Sequence, residues 1–299
     1  MLASKPQRTP QDASSASGDI SGISGPSPIG LPHKSPELDE LVELYAPPRF
    51  NVLGVGISAL NMKTAIRLSD AFLQTGGKGY ICVTGVHGVM EAQKDASFRS
   101  IQNRSFLTLP DGMPTVWIGR MQGYKAIDRV YGPDFMLALC ELSVRRCYKH
   151  FLYGGNQGVA HQLEMAMLRR YPGLQIAGTY TPPFRALSAA EEEDLFRQVK
   201  DSGADVMWCG LSTPKQERFM AQHIKRLPVK LMVGVGAAFD INSGRTPDAP
   251  TWMKKVGMQW LHRLFQDPRR LWRRYLNNNP RFVILFLLQW ARLRSYEIG

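Results

Sequence analysis

The sequence predicts an α/β fold, a Rossmann-like, mostly parallel sheet flanked by helices, with a basic amphipathic helical appendage at its C-terminal end. Three observations lead there. Between Phe50 and about residue 245, short apolar runs alternate with segments of helical period. Most of those runs are continuous, as strands covered on both faces require. Beyond Pro250 no strand pattern recurs, and Trp252, Val256, Trp260 and Leu264 repeat at i, i+4, i+8 and i+12.

Taken in order, residues 1–36 are dominated by Ser, Gly, Pro and Gln and hold too few large apolar side chains to offset the entropy of ordering them. A disordered tail is expected there, an α/β domain over 37–249, and the appendage over 250–299. The strands expected are 50–56, 79–84, 105–109, 150–154, 174–178, 204–210 and 229–236. Helical patterns fall between them at 62–74, 158–171, 189–202 and 214–226. Ser188, ahead of three glutamates, supplies an N-cap and acids for the first turn. In the appendage, one helix is expected from about Trp252 to the Asp267-Pro268 break, and a second over 269–276 with Arg269, Arg270, Arg273 and Arg274 on adjacent turns.

Composition narrows the class. The chain has 299 residues, 44% of them hydrophobic, enough for one large core or two modest ones. Net charge is +12, and residues 251–299 carry ten Lys/Arg against two acidic residues, so the appendage favours an anionic partner. Cys82, Cys140, Cys147 and Cys209 form no C-x-x-C pair, which suits a reduced, cytosolic setting without a metal framework. No basic stretch followed by an apolar h-region marks a secretory signal. The longest apolar run, "FVILFLLQWA" from Phe282, is half the ~20 residues a spanning helix needs. Tryptophans and phenylalanines interleave with the arginines, a pattern that fits an anionic membrane interface better than nucleic acid.

Parallel sheets bind ligands beyond the carboxyl ends of their strands, and this chain places polar residues there five times. Thr84 and His87 follow the second expected strand, Asp111 the third, Gly154 and Gly155 of "YGGNQG" the fourth, "GLSTPKQERF" the sixth, and Asp240 the seventh. Asp111 admits two readings. Pro-Asp-Gly is an ordinary turn, with the glycine at positive φ; alternatively the carboxylate is a general base. Local sequence leaves both open. The glycines of "YGGNQG" let backbone N–H groups approach phosphate, although the spacing is not that of a dinucleotide fingerprint. With Thr213 as N-cap and Pro214 in the first helical position, Lys215, Gln216 and Glu217 fall beside free N–H donors; this makes either an anion site or simply a well-capped helix. Asp240 either ends a strand or faces a ligand. The six histidines show no metal-ligand spacing, so His87 reads as structural or substrate-facing.

The ordered blocks "LPDGMP", "RVYGPDFM", "FLYGGNQGVA", "GLSTPKQERFM", "GVGAAFDINSG", "APTWM" and "GMQWLHRLFQDPRRLWRRY" closely resemble the WecG/TagA/CpsF family of bacterial glycosyltransferases, over about residues 50–279. The resemblance implies inverting transfer of a sugar, of N-acetylmannosamine type or a hexose, from a UDP-sugar to a polyprenyl-diphosphate-linked saccharide in cell-surface polysaccharide synthesis. It implies no metal and no cofactor. Asp111 becomes the base and Thr84 a catalytic neighbour; Gln216 becomes a substrate contact, joined by Gly112, Gly154, Gly155, Lys215, Glu217 and Asp240. Arg263, Arg270, Arg273 and Arg274 become the lipid-diphosphate site, on an appendage resting on the anionic inner face of the cell membrane. A homo-oligomer is compatible with the sequence. The chain departs from the family pattern at Asp248 (usually Arg), Ser212 (usually Gly), Gln259 (usually Glu) and in lacking an Asn near Thr84. Two rival readings follow: a Rossmann-type nucleotide-sugar oxidoreductase, and a membrane-attached binding protein with impaired catalysis.

Overall fold

The computed structural model describes residues 47–298, the side chain of Arg270 excepted, so the tail expected over 1–36 lies outside the described residues. The chain enters the fold as a hairpin where one strand was expected over 50–56. Strands β1 (Arg49–Val52) and β2 (Val55–Ser58) pair antiparallel around Leu53 and Gly54, with φ of 53° and 83°. Two left-handed residues match the twist of a two-residue hairpin. Gly54 takes that conformation freely, whereas Leu53 does so while burying its side chain completely.

Six further strands build the sheet: β3 (Gly79–Thr84), β4 (Leu107–Pro110), β5 (Lys149–Gly154), β6 (Gln175–Tyr180), β7 (Val206–Gly210) and β8 (Leu231–Gly234). Their order is β4-β3-β8-β7-β5-β6, and every pairing is parallel. The first and last strands of this sheet, β3 and β8, lie side by side, so the crossovers diverge around them and a crevice opens at their carboxyl ends.

Side chains alternate between two cores, as the continuous apolar runs require. Val206 and Trp208 of β7 join one cluster and Met207 and Cys209 the other. The first is covered by α1 (Met62–Thr75), then, past the short helices α2 (Val86–Ala92), α3 (Ala96–Asn103) and α4 (Met113–Met121), by α5 (Gly132–Arg146) and α6 (Val159–Arg170). The second lies under α7 (Ala189–Ser202) and α8 (Lys215–His223). A third cluster joins the hairpin to α2, α3, α4 and the C-terminal helix. Helix α7 begins as expected, Ser188 and Glu191 forming a capping box. Helix α8 does not: it starts at Lys215 behind Pro214, and the Thr213 hydroxyl donates to Glu217 Oε1 (2.8 Å) instead of capping. Cys82, Cys140 and Cys209 are buried, and Cys147 is exposed.

After β8 come α9 (Ala238–Asn242), α10 (Thr251–Lys255), α11 (Gln259–Gln266) and α12 (Pro268–Trp290). The single helix expected from Trp252 is divided at Gly257, whose φ is 76°, so the Trp252–Leu264 stripe does not form one face. The break at Asp267-Pro268 holds, but the next helix continues through Pro280 to Trp290. Its Leu271 and Phe282 are buried and Phe286 packs on the third cluster. Near its end Gln289 accepts from Leu53 N (3.0 Å) and donates to Asn51, while Asn51 Nδ2 donates to the carbonyl of Tyr296 (2.6 Å). The C-terminal segment thus clamps the hairpin turn.

One buried polar pair couples this fold to pH. His150 on β5 is fully buried, and Trp208 Nε1 donates to its Nδ1 (2.9 Å), which puts the proton of the neutral ring on Nε2. Burial lowers its pKa to about 4. An unfolded histidine binds a proton near pH 6.5, so the stability is complete above that pH and is lost as pH falls from 6.5 towards 4, by on the order of 3 kcal/mol. His150→Asn keeps an acceptor for the indole and removes the titration. Urea unfolding followed from pH 7 to pH 4 should then lose about one proton from its pH slope, even where the variant is less stable throughout.

Candidate functional site

Asp111 sits between β4 and α4, in a strand-to-helix junction. Gly112 caps α4 with φ of −112°, so the Pro-Asp-Gly stretch does not use the left-handed glycine of an ordinary turn. The Asp111 N–H donates to the Thr84 carbonyl (3.2 Å), which ties the junction to the end of β3. Its Oδ1 accepts from Gly132 N (3.2 Å), one of the free donors in the first turn of α5. Its Oδ2 lies towards Gly85, where an added Cβ would come within 3.7 Å. Arg129 Nε donates to the Asp111 carbonyl (2.6 Å), and the guanidinium stacks 4.2 Å from the Tyr131 ring centroid.

Two cavities open along the carboxyl edge of the sheet. The smaller, about 610 Å³, is lined by Asp111, Gly112, His87, Arg129 and Gln216, and by the apolar side chains Trp117, Met121, Val256, Trp260 and Phe286. The larger, about 950 Å³, is lined by Gly155, Lys215, Asp240, Arg245, Asp248 and the aromatic rings of Tyr153, Phe184 and Phe219. Tyr131, Ser212, Gly236, Ala237, Arg263 and Arg274 line both, so the cavities meet along a seam. His87 accepts from Asn278 Nδ2 (3.2 Å), and burial, reinforced by Arg274, lowers its pKa to about 4. At neutral pH it is an uncharged wall group.

The remaining sequence candidates separate by position. Lys215 is exposed in the larger cavity, and Asp240 lies there 4.0 Å from Arg245. Gln216 reaches the smaller cavity but is buried, with Oε1 accepting from Gly236 N (3.0 Å) and Nε2 donating to Glu217 (3.1 Å). It braces the cavity floor. Glu217 lines neither cavity; burial raises its pKa, and its Oε2 has no partner. Helical period turns these two residues inward from the first turn of α8. Thr84 is also buried, its hydroxyl donating to Gln102 (3.2 Å) beneath Gly88, and lines neither cavity. Gly154 serves packing: a Cβ there would lie 2.7 Å from the Gly210 backbone. Gly155 does reach the larger cavity, but its N–H is engaged by the Gly210 carbonyl (3.0 Å). Arg263 and Arg274 stand at the seam, Arg273 lies over Trp272 and lines neither cavity, and the side chain of Arg270 lies outside the described residues.

Asp248 does not present a bare anion to the larger cavity. Its Oδ2 is paired with Lys254, and its Oδ1 accepts from Ala249 N (2.8 Å), the Tyr131 hydroxyl (3.1 Å) and Gln259 Nε2 (3.4 Å). Burial, with Asp248 and Asp111 adding to it, raises the Tyr131 pKa, so the phenol keeps its proton as a donor. Arg129, Tyr131 and Lys254 are site residues that strand-end reasoning passed over, because they follow helices or loops. The only sequence signal was that "RVYG" and "APTWMKK" stand within or beside blocks of the family pattern.

Comparison with known proteins places the chain among glycosyltransferases. The model of a family described as "Glycosyl transferase WecG/TagA/CpsF family" matches residues 50–296. That reach goes past residue 279, the expected limit, and takes in the Gln289 and Tyr296 clamp on the hairpin. An N-acetylglucosaminyldiphosphoundecaprenol N-acetyl-beta-D-mannosaminyltransferase of Bacillus subtilis (strain 168) is 27% identical over 205 residues, 69% of this chain and 77% of that protein. A protein of the same description from Bacillus spizizenii (strain ATCC 23059 / NRRL B-14472 / W23) is 25% identical over 220 residues, covering 74% and 83%.

Ser212 at the seam holds φ of 65°, a left-handed conformation that costs a non-glycine residue roughly 1–2 kcal/mol. Ser212→Gly removes that strain but loosens the unfolded chain, leaving stability unchanged or raised by up to about 1 kcal/mol. Ser212→Val should cost about 2 kcal/mol, since a β-branched side chain tolerates this region least. Chemical denaturation of the two variants checks the order.

Proposed function

The chain belongs to the WecG/TagA/CpsF family of glycosyltransferases, and from that premise we propose that it transfers a sugar from a UDP donor to a polyprenyl-diphosphate-linked saccharide, with inversion and with Asp111 as general base. The observation that carries this reading is the pair of cavities meeting at a seam, with Asp111 in one and most of the cations in the other or on the seam between them. Inverting displacement needs the attacking oxygen and the leaving group on opposite sides of the anomeric carbon. A donor sugar at the seam, its nucleotide in the larger cavity and the acceptor in the smaller, meets that requirement.

In this arrangement the acceptor hydroxyl attacks the anomeric carbon and its proton passes to Asp111. The glycosidic bond to UDP breaks, and its electron pair stays on the diphosphate oxygen. Lys215, Arg245, Arg263 and Arg274 line the larger cavity and meet the charge that develops there. Asp240 is placed for a hydroxyl or amide contact with the nucleoside, and Gly155 for close approach. Thr84, buried behind Asp111, acts by holding the base loop through its carbonyl, not by touching substrate.

The acceptor class is supported by the names of the two Bacillus relatives, which specify N-acetylglucosaminyldiphosphoundecaprenol. It is supported also by the apolar side chains around the smaller cavity: Trp117, Met121, Val256 and Trp260 are all exposed there. On α12, Trp272, Leu276, Val283, Ile284, Leu287 and Trp290 are exposed, and at 3.6 residues per turn they fall within an arc of about 120°. Phe286 packs on the third cluster and lines the smaller cavity. No helix among the described residues is long and apolar enough to cross a membrane. The proposed role of residues 250–299 is therefore to lie in the interface of the anionic inner leaflet and present a lipid-linked acceptor to Asp111.

UDP release from a panel of UDP-sugars, with and without a polyprenyl-diphosphate-linked N-acetylglucosamine, tests the reaction; release that ignores the lipid acceptor would sink it. Asp111→Asn should lower turnover by about 10²-fold or more while UDP binding persists. For the interface, Leu276→Ser with Leu287→Ser should weaken binding to anionic vesicles at least tenfold, because each buried leucine contributes about 1.5–3 kcal/mol. Unchanged vesicle binding would return this face to an ordinary solvated helix.

A further inference from the structure

We propose that Asp248 and Gln259 are positioning residues of the transfer: Gln259 from the start of α11, backed by Asp248 from the loop before α10, holds Arg129, and through it the loop that carries Asp111. The inference rests on the reading of Asp111 as the base, and goes beyond it by assigning two residues that touch neither reacting atom.

Gln259 opens α11 and lies between two groups of fixed polarity. Its Oε1 accepts from an Arg129 guanidinium nitrogen, and its Nε2 donates to Asp248 Oδ1 (3.4 Å). Arg129 can only donate and an ionised Asp248 can only accept, so the amide has one satisfactory orientation. Reversing it would face two donors and two acceptors. Asp248 is itself fixed by Lys254 of α10, by Ala249 N and by the Tyr131 hydroxyl. Arg129 then delivers its Nε to the Asp111 carbonyl (2.6 Å).

A second route reaches the same base. Gly132, whose N–H holds Asp111 Oδ1 (3.2 Å), follows directly on Tyr131, and the Tyr131 hydroxyl is on Asp248. Both the carbonyl and the carboxylate of Asp111 are thus restrained by groups that converge on one junction. Lys254 and Asp248 are each only about a fifth to a quarter exposed, so the pair is not a freely solvated surface contact. Since α10 and α11 also wall the smaller cavity through Lys254, Gln259 and Trp260, the seating of the appendage is transmitted to the aim of the base.

The test uses the full chain with a UDP-sugar and the lipid-linked acceptor, comparing Gln259→Leu, Asp248→Asn, Asp111→Asn and the double variants with Asp111→Asn. Gln259→Leu should lower kcat by roughly 10- to 100-fold, the weight of a misplaced catalytic group, with the donor KM changed less than about twofold. Asp248→Asn, which does not touch Arg129, should move kcat in the same direction and covers the case in which Gln259→Leu folds poorly. In the Asp111→Asn background neither change should reduce turnover further, because residues acting as one unit are not additive. Multiplicative losses in that background, or wild-type kcat in both single variants, overturn the positioning role. Full turnover in Asp111→Asn alone is a different failure: it removes the base itself, and the proposal with it.

Discussion

Everything in this molecule follows from a six-stranded parallel sheet buried on both faces. Its strands give their backbone groups to one another and their side chains to two cores, so polar chemistry has no place except the carboxyl edge. That edge must itself be closely packed before a cavity can form above it. A Cβ on Gly234 would approach Met220 Cε to 2.8 Å and the Gln216 amide to 3.0 Å, and one on Gly210 would meet the Phe239 ring at 2.7 Å. The glycines at these strand ends therefore let helices and neighbouring strands close on one another. This is why Gly154 works in packing, although glycine-rich strand ends elsewhere cradle phosphate.

The same constraint explains what could be read from the sequence. Continuous apolar runs carry the strand signal strongly, and all six sheet strands fall within a few residues of where they were expected. Helices α2 to α5 were harder to see. Three are short, and α5 opens with Tyr131-Gly132-Pro133, which reads as a turn until Asp111 is seen to use its first N–H. The hairpin was missed because Leu53 is apolar and gives no turn signal, its conformation being held by burial and by Gln289 from the far end of the chain. Asp111 was legible because it follows β4 directly; Asp240, sought at a strand end, stands instead in α9 beyond β8. Arg129 and Tyr131 were not legible, since their side-chain hydrogen bonds span from 18 to 130 residues and no local pattern records them; nor was Lys254, whose partner Asp248 is near in sequence but stands at no strand end. Gln216 and Glu217 differ from what the first turn of a helix suggests: both are buried, Glu217 lining neither cavity and Gln216 reaching the smaller one from its floor.

Departures from a family pattern look different once placed in space. Taken singly, an Asp at 248 and a Gln at 259 each suggest a lost charge and an impaired site. In the fold they are bonded to one another, and the Asp248 carboxylate is paired with Lys254 on the adjacent helix. Ser212, the third departure, pays with a left-handed backbone for a side chain at the seam, where glycine would be relaxed.

The proposed base also differs in its surroundings from three other carboxylates near the seam. Glu217 is sealed below the cavity floor and pushed towards its neutral form by burial, so it neither reaches substrate nor readily carries charge. Asp248 spends its oxygens on Lys254, Tyr131, Ala249 and Gln259. Asp240 lines the larger cavity, across the seam from the smaller one and near Arg245. Asp111 alone of these four lines the smaller cavity, with one oxygen fixed by a helix N–H and the other directed towards Gly85, another residue of the same wall. A base must be both accessible and aimed: burial denies the first to Glu217, its partners occupy Asp248, and Asp240 lines the other cavity.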